Sequence, residues 1–345
     1  MSPPATRRFK NPRAIHNFQG RTCSITGVGS YLPERVLTNA ELEKRVDTSD
    51  AWILTRTGIR ERRIAGKTEY TSDLAARAAT RAMHMAGVSA AQLDLIIVAT
   101  VTPDMVFPST ACFVQRKLGA ARAACFDLEA ACAGFIYGLE IGQQFIMSRT
   151  YDTVLVIGAE KLSTIVNWKD RNTCVLFGDG AGAAVLQNRP NSHGLLTAVM
   201  GADGGKADIL GLPAGGSRCP ATAESVASSL HFIQMDGKET YKSAVQAMCM
   251  AAQEALRRCE IDISQVKCII PHQANRRIID AVGERLGARP DQLFINVDRY
   301  GNTSAASVAI ALDEAVGSGR IQRGDLVLLV VFGAGLTWGA AAIEW

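Results

Sequence analysis

Short, uninterrupted apolar runs punctuate this chain at intervals that leave room for a helix between them. Leu95-Ile-Ile-Val-Ala99, Cys268-Ile-Ile270 and Leu326 to Phe332 are each strand-sized and carry no charge. Runs of this length, apolar at every position, are expected of strands covered on both faces by helices. The stretches that precede the first two read differently. From Ser72 to Met85 and from Tyr241 to Cys259, small and apolar residues recur at three- and four-residue spacing among polar ones, the pattern of amphipathic helices.

The same order of elements occurs twice. The first helix leads through Gly87-Val-Ser-Ala-Ala-Gln-Leu-Asp94 into Leu95 to Ala99, and the second leads through Glu260-Ile-Asp-Ile-Ser-Gln-Val-Lys267 into Cys268 to Ile270. An offset of 173 carries Leu93 onto Val266, and also carries Asp152 of Tyr151 to Gly158 onto Asp325 of Arg323 to Val330. Between them, Leu118-Gly119 and Phe126 match Leu286-Gly287 and Phe294. Repetition on this scale predicts two similar α/β halves, stacked as five layers. The polar, Pro- and Gly-containing stretch Asn188 to Gly194 marks the boundary, giving halves 21–190 and 191–345. Residues 1–20 read as a disordered basic tail: Arg7, Arg8, Lys10, Arg13 and Arg21 occur at this end without an acid, and the apolar core of a secretory signal is missing. An organelle transit segment is the alternative, although the stretch is short and poor in Ser.

Composition narrows the function classes. With 345 residues, 48% hydrophobic and 20% charged, the chain has the make-up of a folded, soluble protein. No apolar run approaches the ~20 residues needed to span a bilayer. Nine scattered cysteines, without CxxC pairs or Cys/His clusters, argue against a disulfide framework or a structural metal and fit a reducing cytoplasm. A net charge of +4 without basic stripes argues against nucleic acid, yet suits an acidic partner.

One cysteine has a distinctive setting. Cys132 falls where the apolar stretch starting at Phe126 runs into a helical pattern, so its thiol is expected at a helix N-terminus. Unpaired N–H groups and the helix dipole there favour thiolate, lowering a pKa that starts near about 8.5. His272 follows a strand directly, and Asn302 sits in a Gly-containing loop that follows a strand matching the one before Cys132. Strand C-terminal ends are where open α/β sheets place their chemistry. A buried His after Pro or an Asn after Gly is, alone, an ordinary core or turn residue; the combination is what points to chemistry. A Cys acylated by a thioester needs donors for the developing oxyanion, and the Cys132 and Ala334 N–H groups are the candidates. His272 and Asn302 can both donate to one carbonyl oxygen, holding an enolate. The glycines of Gly178 to Ala184 are read as a β-turn, because no Lys follows at phosphate-loop spacing.

These residues and their settings resemble the β-ketoacyl-acyl-carrier-protein synthase III family, thiolase-like enzymes that start fatty acid synthesis. The likeness covers 22–345 and includes Gly27 to Pro33, Asp47 to Ile53, Thr55 to Arg62, the Cys132 segment, Phe177 to Gly182, Pro271 to Asn275, Tyr300 to Asn302 and Gly335 to Gly339. It implies a five-layer αβαβα fold in which Cys132 takes an acyl group from acyl-CoA, with acetyl-CoA the expected primer. Decarboxylation of malonyl-acyl-carrier protein then gives a 3-oxoacyl product, with no cofactor beyond the CoA thioester substrates and no metal. The resemblance further implies that Trp52 and Arg171 sandwich the CoA adenine, with Thr48 and Arg56 as polar neighbours. Phe332 would stand beside the thiol and help expel the carboxylate. Phe107 would shape the partner's acyl pocket in a homodimer, and Lys242, Arg276 and Arg277 would dock the acidic carrier protein. Nucleic acid and membrane are not implied as partners.

Two positions depart from the pattern. Glu284 falls where many relatives carry Lys, and Leu336 replaces a common aromatic. Primer length is left open, with Phe107, Leu162 and Leu176 as the residues that set pocket volume. The competing readings are a same-fold acyltransferase of specialised metabolism, a Cys-His-Asn hydrolase and a noncatalytic carrier-binding subunit. The hydrolase is disfavoured by the duplicated halves, and the noncatalytic subunit by the presence of Cys132.

Overall fold

The computed structural model describes residues 21–189 and 194–345; the basic tail 1–20 and the expected boundary between halves lie outside the described residues. Nine strands form the two main sheets: β1 (Cys23–Tyr31), β2 (Leu95–Ala99), β3 (Ala124–Leu128), β4 (Thr153–Glu160), β5 (Gly180–Asn188), β6 (Leu195–Ala202), β7 (Cys268–Pro271), β8 (Leu326–Gly333) and β9 (Thr337–Glu344). The first sheet has the order β1-β5-β4-β2-β3, and the second has β6-β9-β8-β7, the same order one strand short. In the first, Ile96 pairs in parallel with Cys125. Its counterpart in the second is a single parallel bridge between Ile269 and Leu293, the residues that the sequence offsets lead to. The ladder stops there because the Gln273 carboxamide takes over: its Oε1 accepts from the Asn296 and Val297 N–H groups at 2.9 and 3.2 Å.

The helices that matter for the site are α1 (Asp50–Thr57), α2 (Thr71–Ala86), α3 (Thr110–Leu118), α4 (Gly134–Met147), α5 (Gly237–Cys259), α6 (Arg276–Leu286) and α7 (Ala306–Gly317). Helix α5 begins four residues before the position read from periodicity, because the Asp236 carboxylate caps the Lys238 and Glu239 N–H groups at 3.1 Å each. Strand β8 starts at Leu326 and runs one residue past its apolar run, and both β4 and β8 begin two to three residues inside the segments matched between the halves, whose first polar residues lie in the preceding turns. The glycines at 178–184 are not a turn. They lead directly into β5, which starts at Gly180, and their lack of side chains admits neighbours: a Cβ on Gly182 would lie 2.5 Å from that of Ala309.

Five layers result. Helices α2 and α3 cover the first sheet from outside, and α5 and α6 cover the second. Helices α4 and α7 lie between the sheets, apolar around most of their circumference, as helices buried on all sides must be. The central packing is tight enough to exclude a methyl group. A Cβ on Gly158 of β4 would sit 2.3 Å from the Ala305 carbonyl oxygen, a main-chain atom at the head of α7. Gly158→Ala is therefore expected to cost about 1–3 kcal/mol. Thermal unfolding of the variant should show a lowered midpoint; an unchanged midpoint would mean that the central layer yields.

Candidate active site

Cys132 lies in a single 3-10 turn, Ala131–Ala133, between β3 and α4. Ala131 takes a left-handed φ of 44°, and its N–H donates to the Glu129 carboxylate at 3.0 Å. This sharp turn sets the thiol at the head of α4, as the sequence predicts. The expected thiolate does not follow. Burial pushes the Cys132 thiol up to about 12, against hydrogen bonding from Ser304, and the negative charges of Glu160 and Glu129 add to the rise. A helix terminus contributes about 0.3–1 kcal/mol, less than one pKa unit, so desolvation dominates.

His272 follows β7, its N–H donating to the Val330 carbonyl at 2.7 Å. The ring Nδ1 lies 2.6 Å from Ser307 Oγ on α7. Burial lowers the imidazole pKa to about 3, so the ring is neutral at physiological pH. Asn302 reaches the site from the second half but is held by the first. Its N–H donates to the Leu176 carbonyl at 2.8 Å, and its carbonyl accepts from Gly178 at 3.0 Å. Its Oδ1 accepts from the Ser304 N–H at 2.8 Å. A backbone N–H can only donate, so this bond fixes which end of the amide is oxygen and leaves Nδ2 as the donor end.

Strand β8 completes the cluster. Phe332 is buried at its end, and a Cβ on Gly333 would lie 2.6 Å from the Cys132 nitrogen, so only glycine allows the two main chains to cross here. Ala334 follows immediately. Thr337 Oγ1 ties the two loops, donating to the Ala130 and Ala334 carbonyls at 2.9 and 3.0 Å. The turn at Cys132 thus lies against the segment that joins Phe332 to Ala334, while His272 is tied to Ser307 on α7 and Asn302 stands just before that helix.

The nucleotide-binding candidates gather at α1. The Arg171 and Arg56 guanidinium carbons lie 5.2 and 5.6 Å from the Trp52 ring centroid. Arg171 is anchored by a bond to the Asp47 carbonyl at 2.9 Å and occupies the indole itself, so an adenine between the two requires Arg171 to swing away. Thr48 Oγ1 is buried without a hydrogen-bond partner. Helix α6 begins beside α1: a Cβ on Gly58 would meet that of Arg276 at 2.5 Å. Arg277 lies over Tyr241 at 5.7 Å, next to Lys242, and all three are exposed. Arg276 is ion-paired with Asp280 at 2.7 Å, so it adds less free charge than its type suggests. Glu284 is exposed on the same helix, while Leu336 is buried in the outer core of the second half. Leu162 packs in a core cluster with Leu37 and Val166, whereas Leu176 lies beside Asn302. Phe107 is 83% exposed and touches none of these groups.

Residues 126–204 match the family described as 3-oxoacyl-(acyl-carrier-protein) synthase III, and residues 256–345 match its C-terminal counterpart. A β-ketoacyl-(acyl-carrier-protein) synthase III of Caldanaerobacter subterraneus subsp. tengcongensis is 58% identical over 93% of this chain and 97% of its own. The chain belongs to the 3-oxoacyl-(acyl-carrier-protein) synthase III family. A second relative of that name, from Symbiobacterium thermophilum, is 55% identical over 94% of this chain and 98% of its own. Among solved structures, the family member from Aquifex aeolicus VF5 superposes with a TM-score of 0.87 at 47% identity, covering 94% of this chain and 100% of that one. A priming β-ketosynthase of the R1128 polyketide pathway superposes equally well, at 37% identity over 94% of this chain and 96% of its own. The five layers are those of the thiolase-like enzymes, as the sequence implies.

Several residues that build the site escape a sequence reading. Ser307 orients His272, and Ser304 orients Asn302; both lie inside a legible motif but carry hydroxyls that are common in loops. Arg62, fully buried, donates to the carbonyls of Leu37 and Val175 at 3.1 and 2.8 Å and to Asn39 Oδ1 at 2.8 Å. It steadies the segment that holds Asn302. Glu160 had one visible signal, a lone acid closing an apolar strand.

The His272 ring should show no titration between pH 5 and 8 by NMR. Its folded pKa lies below the free value, so the unfolded chain binds the proton first. The group therefore erodes stability as pH falls from about 6.5 towards 3. His272→Gln should lose less stability over that interval than the parent.

Proposed function

We propose that this enzyme condenses an acyl-CoA primer with malonyl-acyl-carrier protein, releasing CoA and carbon dioxide and giving a 3-oxoacyl-carrier protein, the first step of fatty acid synthesis. Membership of the family supports the reaction, and the observation that carries the mechanism is a neutral His272 held by Ser307, five residues along the chain from an Asn302 whose Nδ2 is the donor end. A hydrolase would need His272 as a base against the thiol. A ring that stays neutral down to about pH 3 is a poor base and a sound donor. For Nε2 to donate, the ring proton sits there and Nδ1 accepts from the Ser307 hydroxyl.

In the first half-reaction Cys132 attacks the thioester carbonyl, and the Cys132 and Ala334 N–H groups would receive the oxyanion. CoA leaves and the acyl group stays on sulfur. In the second, loss of carbon dioxide from the malonyl group leaves an enolate, whose oxygen His272 Nε2 and Asn302 Nδ2 stabilise. Phe332 supplies an apolar wall that favours expulsion of the carboxylate. The carbanion then attacks the acyl-enzyme. Trp52, Arg171, Arg56 and Thr48 would hold the CoA nucleotide by stacking and charge, and Lys242, Arg276 and Arg277 would steer the acidic carrier protein to the same mouth. Acetyl-CoA is the primer to test first.

A homodimer is part of this reading. Strand β3 is an edge of the first sheet, with Phe126 and Leu128 half-buried, and Met105, Val106 and Phe107 are exposed, Val106 at 86%. Exposed edges and contiguous apolar loops of this kind are usually covered. A second copy would cover both and bring Phe107 to its partner's pocket. The R1128 likeness keeps a specialised priming role as the second reading. No helix among the described residues is long and apolar enough to cross a membrane.

The deciding experiment measures carbon dioxide release and product mass with malonyl-acyl-carrier protein and a panel of acyl-CoAs. Wild type should give a 3-oxoacyl-carrier product; Cys132→Ser should lose acyl-enzyme formation, and Asn302→Ala should keep it while decarboxylation falls about 100-fold or more. Acyl transfer or hydrolysis without condensation would overturn the assignment. Sedimentation should show a dimer, and Phe107→Glu should shift it towards monomer.

A further inference from the structure

A cavity of about 490 Å³ opens on the first half, between the two-stranded ribbon of Arg35–Thr38 with Glu61–Ile64, the loop that follows the ribbon, and the segment 161–168. No residue named in the mechanism lines it. Four cations do, Arg35, Arg45, Lys67 and Lys161, and no acid, in a chain whose 37 basic and 33 acidic residues nearly balance. Counter-charges are few. Arg35 has Glu41 at 3.9 Å, with both side chains 40% exposed or more, a pairing worth little in water. The Arg45 guanidinium lies 5.9 Å from the Trp168 ring centroid, and neither it nor the exposed Lys67 side chain has an ion pair or hydrogen bond among the described residues. Lys161 has a structural duty: its Nζ donates to the Gly66 and Glu69 carbonyls at 2.8 and 2.6 Å, which pins the loop carrying Lys67. The neighbouring acids are engaged elsewhere. Asp179 is fully buried and accepts from the Ala65 N–H at 2.8 Å, the Ser163 N–H at 2.9 Å and Ser163 Oγ at 2.6 Å, while the Glu69 carboxylate accepts from Tyr31 and Arg77 at 2.8 and 2.9 Å.

We infer that this cavity binds a nucleoside di- or triphosphate, its phosphates on Arg45 and Lys67 and its base against Trp168. The lining has two parts that one such ligand satisfies together. The cations repel one another until an anion joins them, and a polyphosphate brings several negative charges at once. The Arg45 fork can pair with two phosphate oxygens, and Lys67 adds a point charge on a mobile stem. The rest of the wall is apolar. Trp168 is half-buried and held, its Nε1 donating to the Ser163 carbonyl at 3.1 Å, and Leu37, Ile64 and Ala65 are buried beside it. An inorganic anion would leave that wall bare, and an uncharged ligand would leave the cations unrelieved; a flat base joined to phosphates meets both. The volume falls in the range of about 300–1,000 Å³ usual for small-molecule sites. This site is separate from the one proposed for CoA. Trp52, Arg56, Arg171 and Thr48 do not line it, and Arg171 is held at the Asp47 carbonyl over a different indole.

The test is calorimetric titration of the full-length protein with ATP and, separately, with inorganic tripolyphosphate, at fixed moderate salt, for wild type, Arg45→Ala, Lys67→Ala and Arg171→Ala. Arg45 and Lys67 are exposed and outside the core, so their variants should fold, which an unchanged thermal midpoint verifies. Wild type should bind ATP with a Kd below about 1 mM, and Arg45→Ala and Lys67→Ala should each weaken it about 10-fold or more. Arg171→Ala should bind ATP as wild type does. Tripolyphosphate should bind about 10-fold more weakly than ATP, because it cannot use the Trp168 wall. Equal affinity for the two would reduce the cavity to a plain anion site and overturn the nucleotide reading. ATP binding that survives in Arg45→Ala and Lys67→Ala but is lost in Arg171→Ala would place the nucleotide at Trp52, and no binding by wild type at millimolar ATP would leave the cavity without this ligand; either result overturns the inference. The titration uses neither acyl-CoA nor carrier protein, so it is independent of the reaction assigned above.

Discussion

The site depends on main-chain contact between the two halves. Asn302 belongs to the second half, yet its backbone is bonded on both sides to the Leu176–Gly178 segment of the first. Gly333, again from the second half, lies against the nitrogen of Cys132 in the first. Backbone groups cannot rotate away as side chains do, so the segments that carry Cys132, Asn302 and Ala334 keep their spacing as long as the central layer stays packed. The glycines at 158, 182 and 333 are what permit that approach, and the Arg62 guanidinium braces it from behind.

Burial is the second controlling influence, and it acts with opposite sense on the reacting groups. It keeps His272 neutral, which suits a donor, and it keeps Cys132 protonated, which does not suit a nucleophile. A water-poor cavity favours decarboxylation and protects the enolate, but it removes the solvent that would otherwise ionise the thiol.

Much of this was legible in the chain. The continuous apolar runs at Leu95 and Leu326 declared buried strands, and the repeated order of elements announced two similar halves. Cys132, His272 and Asn302 stood out because each closes a strand or opens a helix. What the sequence hid was of two kinds. The thiol's protonation state depends on how much water reaches it, which no local pattern records. Ser304 and Ser307 stand 172 and 175 residues along the chain from Cys132, and their residue type is common enough to carry no signal of its own. The turn read at Gly178–Ala184 failed for a related reason: glycine there serves close packing, and composition alone does not distinguish that from a bend.

The duplicated scaffold does not duplicate the candidate site. The offset that maps Phe126 onto Phe294 carries Cys132 onto Tyr300, so the loop equivalent to the nucleophile's has no thiol, and its outgoing segment presents Asn302 instead. Under the proposed reaction, the first half would bear the acyl group and the second would supply the donor for its reaction partner. Such a division of labour makes the two halves mutually indispensable, and neither could be shed or exchanged without dismantling the chemistry of the other.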